Sequence, residues 1–289
     1  MTTKVDGLFV AVNYNTTLQA LALARQFDSL SGVTGKVLLI LVDNSVGDNA
    51  GALARTLAEA GSKAVCVASG NNLGYFGGAR FGLEYARSRG IVFDWLIVSN
   101  VDLRFDPDSA VAGFAALDTN VIGVVAPNII STATGRALNP FMRARPSMLR
   151  MHFYKWVFRS YPTMWVYEWL AGIRGRLYAA IVGQLGHLSA NLQAAASLSI
   201  VRPIYAGHGS MLAISRQFFE RGGDLDHASF LFGEEIFVAE TARRLGLAVV
   251  WHPGIAVEHA EHASIGKLPS RHLYQFLRDA TAHSANTYF

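Results

Sequence analysis

Three short stretches carry side chains that could do chemistry: Ser99-Asn100-Val101-Asp102, the pair Glu234-Glu235, and His259. Asp102 follows an apolar run, Trp95 to Val98, whose composition marks a buried strand. A carboxylate at that place is either a turn or cap residue, or a ligand-facing group on the C-terminal edge of a parallel sheet. Joined by His259, Asp102 would give a mixed oxygen/nitrogen site suited to Mn²⁺ or Mg²⁺, with a diphosphate completing the coordination. Against that, His259 is one of nine histidines, and a lone histidine is more often structural. Glu234 and Glu235 stand in the first turn of a helix, where the dipole favours acids as simple caps. Two adjacent acids after an apolar run could also turn one carboxylate into a cleft as a general base.

Those residues need elements to place them. Leu8 to Val12 is an apolar strand ending in Asn13-Tyr14-Asn15, with Thr16 or Thr17 to cap the helix that follows. Val37 to Val42 is a second strand, ending in Asp43-Asn44-Ser45. Asn49 to Ala60 is helical, and Ala64 to Ala68 is a third strand. The Trp95 strand precedes a helix opened by Asp106-Pro107, and Val121 to Ala126 is a further strand. Alternating strands and helices predict a doubly wound α/β sheet, mostly parallel. Three of its strands end in Asn or Asp, which is turn chemistry when taken singly and a cleft when taken together. In the last third, Gly207-His208-Gly209-Ser210 opens a strand through Ile214, and Arg216 to Arg221 is a short helix. Phe230 to Glu235 begins a helix reaching Leu245. Ala248 to Trp251 is a strand ended by His252-Pro253, His259 and His262 follow, and Ser270 to His283 is helical.

Gly70 to Gly82 reads as a glycine-rich loop that runs into a helix, permitting close backbone approach to a ligand. It has neither the GxGxxG of dinucleotide enzymes nor the GxxxxGK[ST] of P-loops, so a nicotinamide dehydrogenase and a P-loop ATPase are set aside.

Over 289 residues, 51% are apolar and 16% charged, enough for a large core and against global disorder. A net charge of +4 gives a mild preference for anionic partners. No dense basic stripe points to nucleic acid. The single cysteine excludes an intrachain disulfide and fits a reducing compartment. The chain shows no secretory signal and no charge-free apolar window of roughly 18 residues or more, so no membrane span is expected.

Pro140 to Pro203 differs in character. Arg143, Arg145, Arg150, Lys155, Arg159, Arg174, Arg176 and Arg202 stand against one acid, Glu168, with Trp156, Trp165 and Trp169 interleaved. Such a mixture suits a helical insertion lying on an anionic membrane surface; an ordinary helical subdomain with solvated arginines is an equal reading.

Taken in chain order, these stretches resemble the family 2 glycosyltransferases of GT-A fold, in particular their rhamnosyltransferase-like branch. Val42-Asp43-Asn44-Ser45 is similar to the family's VDN(G)S stretch, and Asn72-Leu73-Gly74-Tyr75 with Gly77 and Gly78 to its NxG(F/Y)xxG loop. Ser99-Asn100-Val101-Asp102 falls where the family carries DxD or NxD, and Phe230 to Glu235 resembles FxxxED. The spacing from Pro253 to His259 resembles that of a metal-binding histidine, and Gly209-Ser210 a segment on the acceptor side. The resemblance implies one GT-A domain over residues 1–289, a Rossmann-like sheet flanked by helices, with residues 140–203 as a helical basic and aromatic insertion. It implies a metal-dependent inverting glycosyltransferase acting in bacterial surface polysaccharide (O-antigen) synthesis. Asn13, Asp43, Asn72, Gly74, Gly78 and Asn100 would bind the nucleotide sugar, Asp102 and His259 the metal, and Gly209 and Ser210 the acceptor. Glu235, with Glu234 beside it, would supply the base. It further implies dTDP-rhamnose or a UDP-hexose as donor and a glycan or polyprenyl-linked glycan as acceptor. The place implied is the cytoplasm, or the periphery of the inner face of the cytoplasmic membrane.

The sequence departs from the family pattern in three places: Asn100 replaces the first acid of DxD, Glu235 replaces the usual Asp, and Ala79-Arg80 stands where asparagine is common. Two other functions fit parts of the same pattern. A sugar nucleotidyltransferase would carry a glycine-rich basic loop after the first strand, where this chain has Asn13-Tyr14-Asn15-Thr16-Thr17. A catalytically inactive glycan- or membrane-binding homologue would be expected to lack Asp102, Glu235 or His259, and all three are present.

Overall fold

The computed structural model describes residues 2–30, 37–167, 169–170, 201–260 and 271–289. Glu168, Arg174, Arg176, His262 and Ser270, and with them much of the 140–203 insertion, lie outside the described residues.

Strand β1 (Thr3–Asn13) pairs in parallel with β2 (Val37–Asp43) on one side and β4 (Ile91–Asn100) on the other, and β3 (Val65–Ala68) extends the parallel half from β2. Side chains alternate faces along a strand, so β1 feeds two cores. Phe9 and Ala11 join Trp95, Leu39 and Leu41 beneath helices α1 (Thr17–Asp28), α2 (Ala52–Glu59) and α4 (Pro107–Ala115). Leu8 and Val10 join Ile40, Val42 and Leu96 against α3 (Tyr75–Ser88) through Phe76, Ala79 and Leu83. Helices on both faces explain why the runs Leu39 to Val42 and Leu96 to Val98 are continuously apolar.

Beyond β4 the sheet becomes mixed. Strand β8 (Met211–Ser215) lies between β4 and β6 (Ile122–Ser131), antiparallel to both, and β9 (Ala248–His259) runs parallel to β6. Two short strands, β5 (Leu103–Arg104) and β7 (Arg202–Pro203), pair antiparallel along the remaining edge of β9. The strand order is β3-β2-β1-β4-β8-β6-β9-β5, with β7 also on β9. Because β5 follows β4 by two residues yet pairs at the far end of the order, the sheet curls and brings Asp102 back to the end of β9.

Three expectations need correction. The glycine-rich stretch is loop only to Gly74: α3 starts at Tyr75, so Gly77, Gly78 and Gly82 are helical. Glycines are poor helix formers, but here helix and sheet approach too closely for a side chain, since a Cβ on Gly82 would lie 2.5 Å from Val10 Cγ1. His252-Pro253 does not end β9, which continues to His259. The proline sits where the pairing with β6 shifts register between Pro127 and Asn128, so its missing N–H interrupts no regular ladder. The sheet is mixed rather than wholly parallel, because the hydrophobic pattern of β8 marks a buried strand without giving its direction.

The insertion leaves and rejoins the domain at one point. Met142 and Ala206 form an antiparallel bridge, with Met142 N to Ala206 O at 3.0 Å and Ala206 N to Met142 O at 3.1 Å. Within it, α5 (Met148–Val157) is capped by Ser147, whose hydroxyl accepts the Arg150 amide. Met151 packs with Ile236 of α7 (Glu234–Arg244) and Ala285 of α8 (Arg271–Tyr288). Helix α6 (Arg216–Glu220) completes the third block.

Candidate active site

The parallel register puts Asn13 beside Asp43 and Val12 beside Asn100, so the polar ends of β1, β2 and β4 share one edge. Asn13, fully buried, is the hub. Its amide nitrogen donates to Asp43 Oδ1 at 3.0 Å and to Ser45 Oγ at 3.3 Å, while its oxygen accepts the Thr16 hydroxyl at 2.8 Å. Asp43 Oδ1 also accepts the Ser45 amide at 3.0 Å. Bonds of this kind anchor Asp43 at the strand end.

Asn44, which the sequence reading did not single out, ties this edge to the glycine segment by donating to the Gly74 carbonyl at 2.8 Å. Its own Oδ1 is buried without a partner among the described residues. Gly74 holds a positive φ of 73°, and a Cβ there would collide with the Phe230 carbonyl. That carbonyl accepts the Tyr75 amide at 3.3 Å. Asn72 is turned inward on its own loop, accepting the Gly74 amide at 3.2 Å. Gly78 is buried, and a Cβ on it would meet Val12 and Asn44 within 3 Å, so close packing already requires glycine there.

Strand β8 begins where β4 ends. The Asn100 amide donates to the Ser210 carbonyl at 2.9 Å, and the buried Ser210 hydroxyl lies 2.9 Å from His208 Nδ1. Gly209 is held from two sides: its N–H donates to Glu235 Oε1 at 3.1 Å, and its carbonyl accepts the Tyr75 hydroxyl at 2.8 Å. His208 is itself fixed through its amide, which donates to Asn139 Oδ1 at 2.8 Å. Asn139 carried no sequence signal, and Tyr75 and His208, though they fall in stretches quoted above, gave none of these contacts, because the partners lie 69 to 134 residues away.

The two adjacent acids part company. Glu234 is buried at 5% exposure, whereas the half-buried Glu235 faces a cavity of about 650 Å³. Burial raises both carboxyls above their ordinary range, and for Glu234 the neighbouring Glu235 charge adds to the effect. The Gly209 amide works the other way on Glu235, by stabilising its anion. Burial, followed by the charges of Glu234, Glu235 and Asp102, pushes the Tyr75 phenol well above its usual value, so Tyr75 stays a neutral donor.

Asp102 and His259 meet at the curled end of the sheet, Oδ1 to Nε2 at 3.2 Å, on side chains 15% and 8% exposed. Leu103 pairs with His259 in the β5–β9 ladder, and the Ala260 amide donates to the Asp102 carbonyl at 3.0 Å, so backbone holds both residues in place. Among the described residues no third His, Cys, Asp or Glu joins them. Their convergent oxygen and imidazole donors fit a divalent cation whose remaining positions come from an anionic ligand. His259 Nδ1 is buried without a partner among the described residues.

Residues 9–178 match the family described as Glycosyl transferase family 2. No curated protein matches the chain in sequence. Three of the solved structures that share the fold serve as examples. The first is the mannosyltransferase PcManGT from Pyrobaculum calidifontis in complex with GDP-Man and Mn²⁺, at 14% identity and TM-score 0.50, with 91% of this chain and 59% of that one covered. The second is GalNAc-T7 with UDP, GalNAc and Mn²⁺, at 12% identity and TM-score 0.56, covering 89% and 44%. The third is S. aureus TarS, at 9% identity and TM-score 0.50, covering 99% and 40%. This chain therefore spans between 40% and 59% of the length of each.

Proposed function

The chain belongs to glycosyl transferase family 2, and on that footing we propose that it moves a sugar, with inversion, from a nucleotide diphosphate donor to an acceptor hydroxyl. The observation that carries this reading is the placement of Glu235. It is bonded to Gly209, the residue before Ser210, whose carbonyl takes the amide of Asn100 two positions ahead of Asp102. Base, acceptor strand and the Asp102–His259 pair are thus built on one hydrogen-bonded edge.

In this reading Asn13, Asp43, Asn72, Gly74, Gly78 and Asn100 surround the nucleotide sugar, dTDP-rhamnose or a UDP-hexose. The nucleotide sugars named in the solved structures of the same fold support a donor of that class. Asp102 and His259 would hold Mn²⁺ or Mg²⁺, which when bound would offset the charge of the departing diphosphate. Glu235 takes the proton from the acceptor hydroxyl as its oxygen bonds the anomeric carbon and the bond to the diphosphate breaks on the opposite face. A carboxyl raised by burial is a stronger base than an exposed one, which suits this step near neutrality. Gly209 and Ser210 border the acceptor.

The acceptor is a glycan or polyprenyl-linked glycan of a bacterial surface polysaccharide. The enzyme works in the cytoplasm, peripheral to the inner face of the membrane and docked through residues 140–203. Leu149, Phe153, Trp156, Trp165 and Trp169 are exposed there, among the cationic Arg150, Lys155 and Arg159. No described helix is long and apolar enough to cross a membrane.

The test is turnover of a panel of nucleotide sugars with and without Mn²⁺, alongside flotation on anionic and neutral liposomes. Metal-dependent release of UDP or dTDP supports the reading, and a panel with no turnover and no nucleotide-induced stabilisation rejects it. Flotation that ignores anionic lipid removes the membrane part alone.

A further inference from the structure

Immediately ahead of Glu234 and Glu235 the backbone takes an unusual path. Phe232 has φ at 70° and Gly233 at 86°, so two consecutive residues are left-handed just before α7 begins. Glycine adopts that conformation freely, whereas a bulky residue such as phenylalanine holds it only when its surroundings compel it. One side chain grips the turn: His227 Nε2 lies 3.0 Å from the Phe232 carbonyl oxygen. A carbonyl can only accept, so the ring proton sits on Nε2. The other ring nitrogen, Nδ1, is buried without a partner among the described residues, and a proton placed on it would find no acceptor among them. The imidazole packs between Phe76 of α3 and Phe237 of α7, with ring centres 6.2 and 5.1 Å away, and His283 of α8 stands at 6.2 Å. Burial holds its pKa below the ordinary histidine value, outweighing the Phe232 carbonyl, and His283 adds to the effect. His227 is therefore a neutral donor of fixed tautomer near pH 7. Its backbone is pinned as well, since its amide donates to the Leu225 carbonyl at 2.9 Å and the adjacent Asp226 pairs with Arg80 of α3.

The gripped carbonyl lies three residues ahead of Glu235. The first helical bond of α7, Phe237 N to Gly233 O at 3.0 Å, starts at the very next residue. The orientation of the Phe232–Gly233 peptide thus sets where the first turn of α7 begins, and with it whether Glu235 Oε1 meets the Gly209 amide. We propose that His227 is a positioning residue for Glu235: by donating to the Phe232 carbonyl it holds the left-handed turn that aims the carboxylate at Gly209. Without that bond Phe232 relaxes towards negative φ, the peptide after it rotates, and Glu235 leaves its place. The role rests on the transferase reading for what Glu235 does to a substrate, whereas the placement of the carboxylate can be observed with no substrate present.

His227→Phe keeps an aromatic ring in the pocket and removes the donor. His227→Gln gives up the ring but presents an amide N–H at the reach of Nε2, and should rescue. The direct readout is the Gly209 amide proton by magnetic resonance, in full-length protein isotopically labelled at glycine and assigned by its loss in Gly209→Ala. It should move upfield in His227→Phe, as a weakened bond to a carboxylate implies, and stay near its wild-type position in His227→Gln. In turnover of nucleotide sugars, His227→Phe should lower kcat about 10–100-fold with KM for the donor changed by less than about twofold, and His227→Gln should recover most of that loss. Phe232→Gly reaches positive φ without cost, so in its background the drop in melting temperature from His227→Phe should shrink. An unmoved Gly209 proton in His227→Phe overturns the proposal, as does a His227→Gln protein no better than His227→Phe. If His227→Phe alone does not fold, the same exchange in the Phe232→Gly background decides: a folded protein supports the grip on the turn, and an unfolded one overturns it. Wild-type protein that turns over no nucleotide sugar, with the Gly209 proton moving as stated, rejects the transferase reading alone. Turnover with an unmoved proton rejects this positioning alone.

Discussion

Glu235 Oε1 accepts the Gly209 amide at 3.1 Å, and a Cβ built on Gly209 would lie 2.8 Å from that same oxygen. The carboxylate is therefore positioned by the absence of a side chain as much as by the hydrogen bond. Gly209→Ala should displace Glu235 while leaving the strand ends of β1 and β2 alone. We expect kcat to fall about 10–100-fold, as misplacement of a reacting group by about 1 Å implies. The affinity for UDP should stay within a factor of about two. Steady-state kinetics beside nucleotide titration checks this; an unchanged kcat refutes the positioning.

Glu235→Gln preserves the acceptor for Gly209 and removes only the basicity. The variant should unfold at the wild-type temperature or above, bind nucleotide normally, and lose about 10²–10⁴ in kcat. For the wild type, burial of Glu235 moves the acidic limb of the pH–rate profile above the ordinary carboxylate range. Near-normal turnover of the variant, or an acidic limb at about 4.3, contradicts the assignment.

Asp102→Ala and His259→Ala each remove one of the two donors that meet at 3.2 Å. Both variants should lose the extra thermal stabilisation that Mn²⁺ adds to UDP or dTDP. A saturated ligand, at about 100 times its dissociation constant, contributes roughly 2.7 kcal/mol, so the loss is readily measured by thermal unfolding. Metal-dependent stabilisation that survives in both variants would place the cation elsewhere.

Glu234, buried beside Glu235, also offers a test on stability. Burial and the neighbouring Glu235 raise its carboxyl, so the folded state holds the proton more tightly than the unfolded chain. The associated stability is present at low pH and is lost as pH climbs from about 4.3 through the raised value. Glu234→Gln, which stays neutral, should flatten that decline, with melting curves that agree near pH 4 and separate as pH rises, by about 2–4 °C per kcal/mol relieved. Parallel curves at all pH values would refute it.

Gly82→Ala sets two effects against each other. Alanine gains about 1 kcal/mol in a helix, while overpacking costs about 1–3 kcal/mol. Contacts of 2.5 Å to Val10 and 2.8 Å to Val42 decide the sign, and we expect net destabilisation of about 1–2 kcal/mol in urea unfolding. Gly77→Ala, whose Cβ would meet only the Leu73 Cβ at 3.2 Å, is the control and should remain close to wild type.

Strand ends were the most legible part of the chain. Asn13, Asp43 and Asn100 follow apolar runs, and a parallel register brings them to one edge. Strand direction was not legible, since a buried strand such as Met211–Ser215 shows the same pattern whichever way it runs. Gly78 and Gly82 suggested a loop because their reason for being glycine lies on Val10, Val12 and Val42, residues distant in sequence. Pro253 suggested a strand end, and only the shifted pairing with β6 explains why it did not make one. Tyr75 was visible as part of a motif but not as the donor to Gly209, and Asn44 not as the link to Gly74. Such roles are set by long-range geometry alone.

The bridge between Met142 and Ala206 makes the intervening segment a cassette with a fixed socket. Closing a longer loop costs only about 0.6 kcal/mol per doubling of its length, so what is plugged in there can grow, shrink or be exchanged at little expense to the catalytic edge. The strand ends of β1, β2 and β4 are thereby insulated from changes in the length of that segment.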